Sequence, residues 1–327
     1  MIRLFLMTVL VCVLNVLGSS SARANTCSAT MTDINFGTVS PIAGSDVTAS
    51  GTLTVTCVWT LGSNPLLLPA ANVCANLGVG PGGGTGAPRY LLNSGNRLGF
   101  NLYTDSSYTA AKIWGGYDST IGAKPITGTL VGLLGLGGVT MTTTVYGKIP
   151  AASLIGVPTV GNADTVYAAG FAGHGTLQYG FGSVPCTAGA SSAFSFQARA
   201  TAVNNCLIST SDLAFATGSP LTDQRISAPL SVACTANSSY QISLNAGSSG
   251  NAGARTMKNV VTGETLGYRI SSTPDGAAWG DGSAGTTVYS GTGSGSAQNV
   301  MMYGIVPKQR APTPGDYRDT VTVLLMF

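Results

Sequence analysis

The chain has 327 residues, of which 45 are glycine and only 8% are charged. That composition excludes coiled coils and charged disordered tails, and it leaves little material for amphipathic helices. A formal charge of +3 gives no drive toward nucleic acid or an anionic membrane, and a single histidine, His174, with a single glutamate, Glu264, leaves most acid–base and metal-dependent chemistry without its usual residues. No enzyme, cofactor or metal site is expected.

In chain order, Arg3, the apolar run from Leu4 to Leu17 and the small-x-small pattern Ala22-Arg23-Ala24 predict an export signal over residues 1–24, with Asn25 as the first mature residue. The run is too short to prefer spanning a bilayer, and no later stretch is long enough, so no membrane insertion is expected. Cys12 leaves with the signal. The six remaining cysteines, Cys27, Cys57, Cys74, Cys186, Cys206 and Cys234, are an even set in an exported chain without the C-x2-C spacing of a zinc knuckle, which favours three disulfides over metal thiolates.

Beyond Cys27 the chain repeats itself. Cys27, Asp33, Phe36, Thr38 and Pro41 recur at one constant offset as Cys206, Asp212, Phe215, Thr217 and Pro220, and Leu53-x-Val55-x-Cys57 matches Leu230-x-Val232-x-Cys234. Trp114-Gly115 matches Trp279-Gly280 in the same way. These are two copies of one domain, residues 25–203 and 204–327, the first expanded by insertions at Leu61 to Pro88 and Gly156 to Gly189. Equivalence of the cysteines selects Cys27–Cys57 and Cys206–Cys234, leaving Cys74 to pair with Cys186. Within each copy Val and Leu alternate with Thr or Ser in short segments separated by Gly, Asn, Ser and Pro, as in Val321, Val323 and Leu325, and this predicts an all-β antiparallel β-sandwich. The stretch from Gly78 to Gly86 reads as a loop, since no βαβ unit surrounds its glycines.

Several residues invite a chemical role and also have a plainer one. His174 has no nucleophile motif to serve. Asp105, Asp118, Asp275 and Asp281 sit in sequences that favour turns, because Asp bonds its own backbone there. Trp114 and Trp279 occupy equivalent places, which points to core packing, whereas Trp59 and the tyrosines remain candidate carbohydrate platforms. Three apolar, Gly- or Pro-broken segments in the first copy have no hydrophobic counterpart in the second. They contain Leu66, Leu67 and Leu68; Val131, Leu133, Leu134 and Leu136; and Leu154, Ile155 and Val157. The expectation is that the three loops gather at one pole as a hydrophobic contact edge, against the plainer expectation that they cap the core from inside.

Cys27 with "DINFGTVSP", "GTLTVTC", "YTDSSYTAAKIWGG" and "VYGKIP", followed by "WGDG", "GTGSGSAQNVMMYGIVP" and "PGDYRDTVTVLLMF", resembles the spore coat protein U domain family, which supplies the subunits of archaic chaperone-usher pili. The resemblance implies immunoglobulin-like domains that lack their last strand and borrow it. Phe194, Phe196, Ala198, Ala200 and Ala202 share one face of a strand, so residues from about 193 to 203 read as a donor strand used in cis by the first domain. The second domain is then the incomplete one, its groove beside Tyr317, Val321, Val323, Leu325 and Phe327 filled by a periplasmic chaperone and, after the outer-membrane usher, by the next pilus subunit. Only Asn25 and Thr26 precede Cys27, leaving no strand to donate, so the implied place is the pilus tip on the surface of a Gram-negative bacterium. The expected function is an adhesin that binds abiotic or apolar surfaces and promotes attachment and biofilm formation. The alternatives are a glycan-binding, lectin-like tip and a structural coat or matrix protein.

Overall fold

Thr/Val alternation extends the backbone and sends one set of side chains inward. In the strand Val47–Trp59, Leu53, Val55, Cys57 and Trp59 are buried while Thr52 and Val58 face out. The computed structural model describes residues 25–59, 69–83, 88–117, 124–132 and 137–327. In chain order the strands of the amino-terminal unit are β1 (Thr26–Met31), β2 (Ile34–Val39), β3 (Val47–Trp59), β4 (Ala70–Leu77), β5 (Arg89–Asn93), β6 (Asn96–Tyr103), β7 (Ile126–Val131), β8 (Gly137–Ile149), β9 (Thr165–Gly170), β10 (Gly175–Phe181), β11 (Ala190–Phe194) and β12 (Gln197–Ala202). The carboxy-terminal unit follows with β13 (Cys206–Thr210), β14 (Gln224–Cys234), β15 (Ser239–Leu244), β16 (Arg255–Asn259), β17 (Thr265–Ser271), β18 (Tyr289–Thr292), β19 (Ala297–Val306), β20 (Tyr317–Arg318) and β21 (Val323–Met326). Among the described residues helix is confined to the turn Ala151–Leu154 and three short 3-10 turns, and none is long and apolar enough to cross a membrane.

Each unit packs two sheets around its own core. The large sheet of the first unit runs β1-β3-β8-β6-β5-β9-β12-β2, and that of the second runs β13-β14-β19-β17-β16-β20. The second order reproduces the first six places of the first and stops where β12 and β2 follow. The small sheets agree in the same way, β11-β10-β4-β7 against β21-β15-β18. The repeat inferred from the sequence is therefore a repeat of topology, and what the second unit does not share is the β11–β12 segment. All named pairings are antiparallel except that of β12 with β2, which is parallel.

Three disulfides close the pairs Cys27–Cys57, Cys74–Cys186 and Cys206–Cys234, the connectivity that the repeat selects. Each unit also has a staple that sequence reading missed. Arg89, 1% exposed, donates to the carbonyls of Leu77, Gly78 and Trp114 and to the side chain of Asn101. Arg255 occupies the same place in the second unit and donates to Leu244, Asn245 and Trp279. The Trp114 indole N–H donates to Ala75 at 2.9 Å, and that of Trp279 to Ile242 at 2.8 Å. A buried guanidinium without a carboxylate serves five N–H donors to carbonyls that the sheet ends would otherwise strand. Its burial pulls the Arg89 pKa down to about 10, so it remains a cation at neutral pH.

Candidate functional site: an open groove and an apolar pole

β12 shows what occupies the position between β9 and β2. Ala198 is the cross-strand partner of Ala169 on one side and of Ile34 on the other, and Ala202 partners Thr165 and Val39. Ala198, Ala200 and Ala202 are buried, and Phe196 stacks on Phe171 with ring centroids 4.6 Å apart. The expected single strand over 193–202 is in fact broken at Ser195. Phe194 closes β11 in the small sheet and Gln197 opens β12 in the large one, so the segment crosses from sheet to sheet and seals both.

The second unit carries the same walls around a groove of about 610 Å³, lined among others by Leu213, Phe215, Tyr268, Ile270, Tyr317 and Val321. Matching Arg89↔Phe100 to Arg255↔Tyr268, and Leu92↔Ala168 to Lys258↔Arg318, makes Tyr317 the counterpart of Tyr167, Asp319 of Ala169 and Tyr268 of Phe100. Tyr167, Ala169 and Phe171 are fully covered, whereas Tyr317, Asp319, Val321 and Val323 are only half-buried. Two residues expected at this groove lie elsewhere. β21 pairs Leu325 with Ile242 and carries it past the end of the groove against the second core, and Phe327 lies in a separate hollow with Tyr240 and Met326.

The apolar segments of the first unit divide between opposite ends. β3 and β8 pair over thirteen residues, Trp59 with Gly137 at one end and Val47 with Ile149 at the other, a span of about 40 Å at the usual rise per residue. Val131 lies at the Trp59 end, where it partners Ala70, and the Gly132 N–H donates to Pro69. Leu66, Leu67, Leu68, Leu133, Leu134 and Leu136 fall outside the described residues, but the strands that lead into and out of both segments meet at this pole. The segment with Leu154, Ile155 and Val157 belongs to the opposite pole. Leu154 and Val157 are 1% and 4% exposed in the first core, so they are not surface residues. They follow Ile149 directly, and a helical turn folds them under the sandwich. Ile155 is exposed, beside Gly156, which abuts Gly295 of the second unit.

The third contributor to the Trp59 pole is a segment that sequence reading missed. Gly182 donates its N–H to Ala70, the Asn72 amide donates to the carbonyls of Gly182 and Val184, and Phe181 meets Trp59 edge-on at 6.2 Å. Val184 is 41% exposed there and Val58 equally so. The signal was available, because the Cys74–Cys186 bridge ties this turn to β4. Trp59 itself is buried, which removes it as a carbohydrate platform.

The turn aspartates behave as turn chemistry directs. Asp105 accepts from the Ser107 N–H and hydroxyl, and Asp281 from those of Ser283. Asp275 itself takes the left-handed turn conformation and its carboxylate accepts from Arg225, while Asp118 falls outside the described residues. His174 lies in the turn after β9, its N–H donating to Phe171. Trp114 and Trp279 are fully buried.

The sequence matches the model of the Spore Coat Protein U domain over residues 13–168 and 192–324, most of the chain, and the protein belongs to that family. Among solved structures, the CsuC–CsuE chaperone–tip adhesion subunit pre-assembly complex from archaic chaperone-usher Csu pili of Acinetobacter baumannii superposes with a TM-score of 0.51 at 17% identity, covering 92% of this chain and 100% of that one. At that identity the likeness is one of fold. A chaperone–tip adhesin complex of CFA/I fimbriae biogenesis covers 90% of this chain and 94% of its own, at 13% identity and a TM-score of 0.29, too low to carry an argument. No curated protein matches the chain significantly.

Proposed function

We propose that the chain is a two-domain adhesin subunit of a chaperone-usher pilus, with residues 25–203 as the binding domain and residues 204–327 as the domain that joins the fibre. The observation that carries this reading is the contrast between β12, seated between β9 and β2, and the half-buried counterpart walls in the second unit. An edge with unpaired backbone groups and apolar side chains recruits a strand. A periplasmic chaperone supplies it first and the next subunit supplies it after passage through the usher, which agrees with a similar fold being found in a chaperone complex. A tip position at the cell surface is part of the same reading, and the likeness of fold to a tip subunit supports it.

The binding surface is the Trp59 pole, built from the segments around Leu66–Leu68 and Leu133–Leu136 together with Val131 and Val184. Burial of apolar area needs no matched hydrogen bonds, so the target is a broad class of apolar surfaces rather than one receptor. Each fully buried side chain contributes about 1.5–3 kcal/mol, against about 4–15 kcal/mol lost on association, so single tips bind modestly and many pili hold through multivalency.

The test is attachment of cells displaying the pilus to polystyrene and to a glycan panel. Leu67→Asp with Leu134→Asp is expected to reduce polystyrene attachment to background with assembly intact, while Ile155→Asp, at the other pole, leaves it unchanged. Equal loss from Ile155→Asp contradicts the single-pole surface, and selective glycan binding indifferent to all three substitutions establishes the lectin reading instead.

A further inference from the structure

We infer that Asp319 is a specificity-determining residue of the second groove, selecting an incoming strand that presents a hydrogen-bond donor at the place where Ala198 sits in the first unit. The inference rests on the strand-accepting reading above and adds the chemistry by which one strand is preferred over another.

The first groove makes no polar demand at this point. Ala198 faces Ala169, and Phe100, the neighbour on β6, packs edge-on against Phe36 and Phe171. In the second groove both positions have become polar at once: Asp319 replaces Ala169 and Tyr268 replaces Phe100. The Tyr268 hydroxyl donates to Asp319 Oδ2 at 2.5 Å, and Oδ1 accepts the N–H groups of Ser248 at 2.8 Å and Thr320 at 2.9 Å. Gly247 lies so close to the carboxylate that any Cβ there would collide with it, so the turn Gly247–Ser249 is folded around the charge. A carboxylate has about four acceptor sites, and these bonds use three. That leaves one acceptor site on Oδ2 without a partner among these bonds, on a half-buried residue that lines the groove.

A strand laid into the groove removes water from that last site. An aliphatic side chain opposite leaves it desolvated and unpaired, whereas a hydroxyl, amide or ammonium satisfies it. The chain's own completing strand presents Ala198 here, which makes it a weak occupant of its second groove. One segment therefore does not serve both sites, and the groove stays available for a strand of different sequence.

The experiment refolds the full chain with excess fluorescent peptide of sequence Ala193–Val203, in parent form and as the Ala198→Ser, Ala198→Val and Ala198→Asp forms, and follows peptide dissociation after a chase. The Ala198→Ser peptide is expected to leave about tenfold more slowly than the Ala198→Val peptide, and the Ala198→Asp peptide not to be held. The Ser-over-Val preference should vanish in the Asp319→Ala chain. The peptide series on the unaltered chain decides the matter even if that variant does not fold. Equal dissociation of the Ser and Val forms from the unaltered chain overturns the inference and leaves the strand-accepting reading standing. If no form is held at all, the strand-accepting reading itself fails.

Discussion

The two units differ at one place and agree nearly everywhere else. Both have the same strand order over six places, a disulfide joining the first strand to its neighbour, and a buried Arg that caps carbonyls beside a buried Trp. In the first, the face formed by Tyr167, Ala169 and Phe171 is sealed by β12, and in the second the corresponding face of Tyr317, Asp319 and Val321 is half-buried. Completion is thus a separable property of this sandwich. A short segment whose buried face carries two phenylalanines and then three alanines closes it, while the Arg–Trp staple and the disulfide hold the remainder in register.

Breaking the seal has the largest expected effect. Ala198→Asp with Ala200→Asp buries two unpaired charges and should unfold the first unit, at a cost of about 5 kcal/mol or more, while Val321→Asp in the half-buried second groove costs about 2 kcal/mol or less. Thermal denaturation followed by near-UV circular dichroism compares them, and equal costs would erase the distinction between the grooves. Next come the staples. Arg89→Met and Arg255→Met each leave several carbonyls without donors, which should cost about 3 kcal/mol in their own unit. A loss confined to one unit would show that the staples are not equivalent. Removing Cys206–Cys234 by paired alanines should cost about 2–4 kcal/mol, read from the denaturant midpoint.

The smallest effect is on alkaline stability. Burial raises the phenols of Tyr103, Tyr167 and Tyr240, and burial together with the bond to Asp319 raises that of Tyr268. A raised folded pKa means the stabilisation is complete below the ordinary phenol value of about 10 and is lost as pH climbs above it. Tyr268→Phe should flatten that decline in the second unit and leave the first unit's pH profile unchanged in a denaturation series.

Much of this was legible in the chain because it is written in local chemistry. Thr/Val alternation sets the faces of β3, and five residues at one offset disclose the repeat that selects the disulfides. What sequence alone did not supply depends on which pole a loop emerges from. Leu154 and Val157 are as apolar as their counterparts around Val131, yet β8 carries them to the far end and the helical turn folds them inward. Val184 was overlooked because it is a lone aliphatic residue between Gly182-Ser183 and Pro185, although the Cys74–Cys186 bridge places it beside Ala70 and Asn72. The arginine staples are invisible to hydropathy, which counts a guanidinium as surface. The break at Ser195 leaves the buried face of 194–202 unaltered, so periodicity could not reveal that two sheets share it.

Amide hydrogen exchange on the full chain, resolved by segment, tests the central claim most directly. The account predicts slow exchange for Thr165–Gly170 under β12, fast exchange for Tyr317–Val321, and slowing of the latter when the Ala198→Ser peptide is added. Tyr317–Val321 exchanging as slowly as Thr165–Gly170 with no added strand would contradict it.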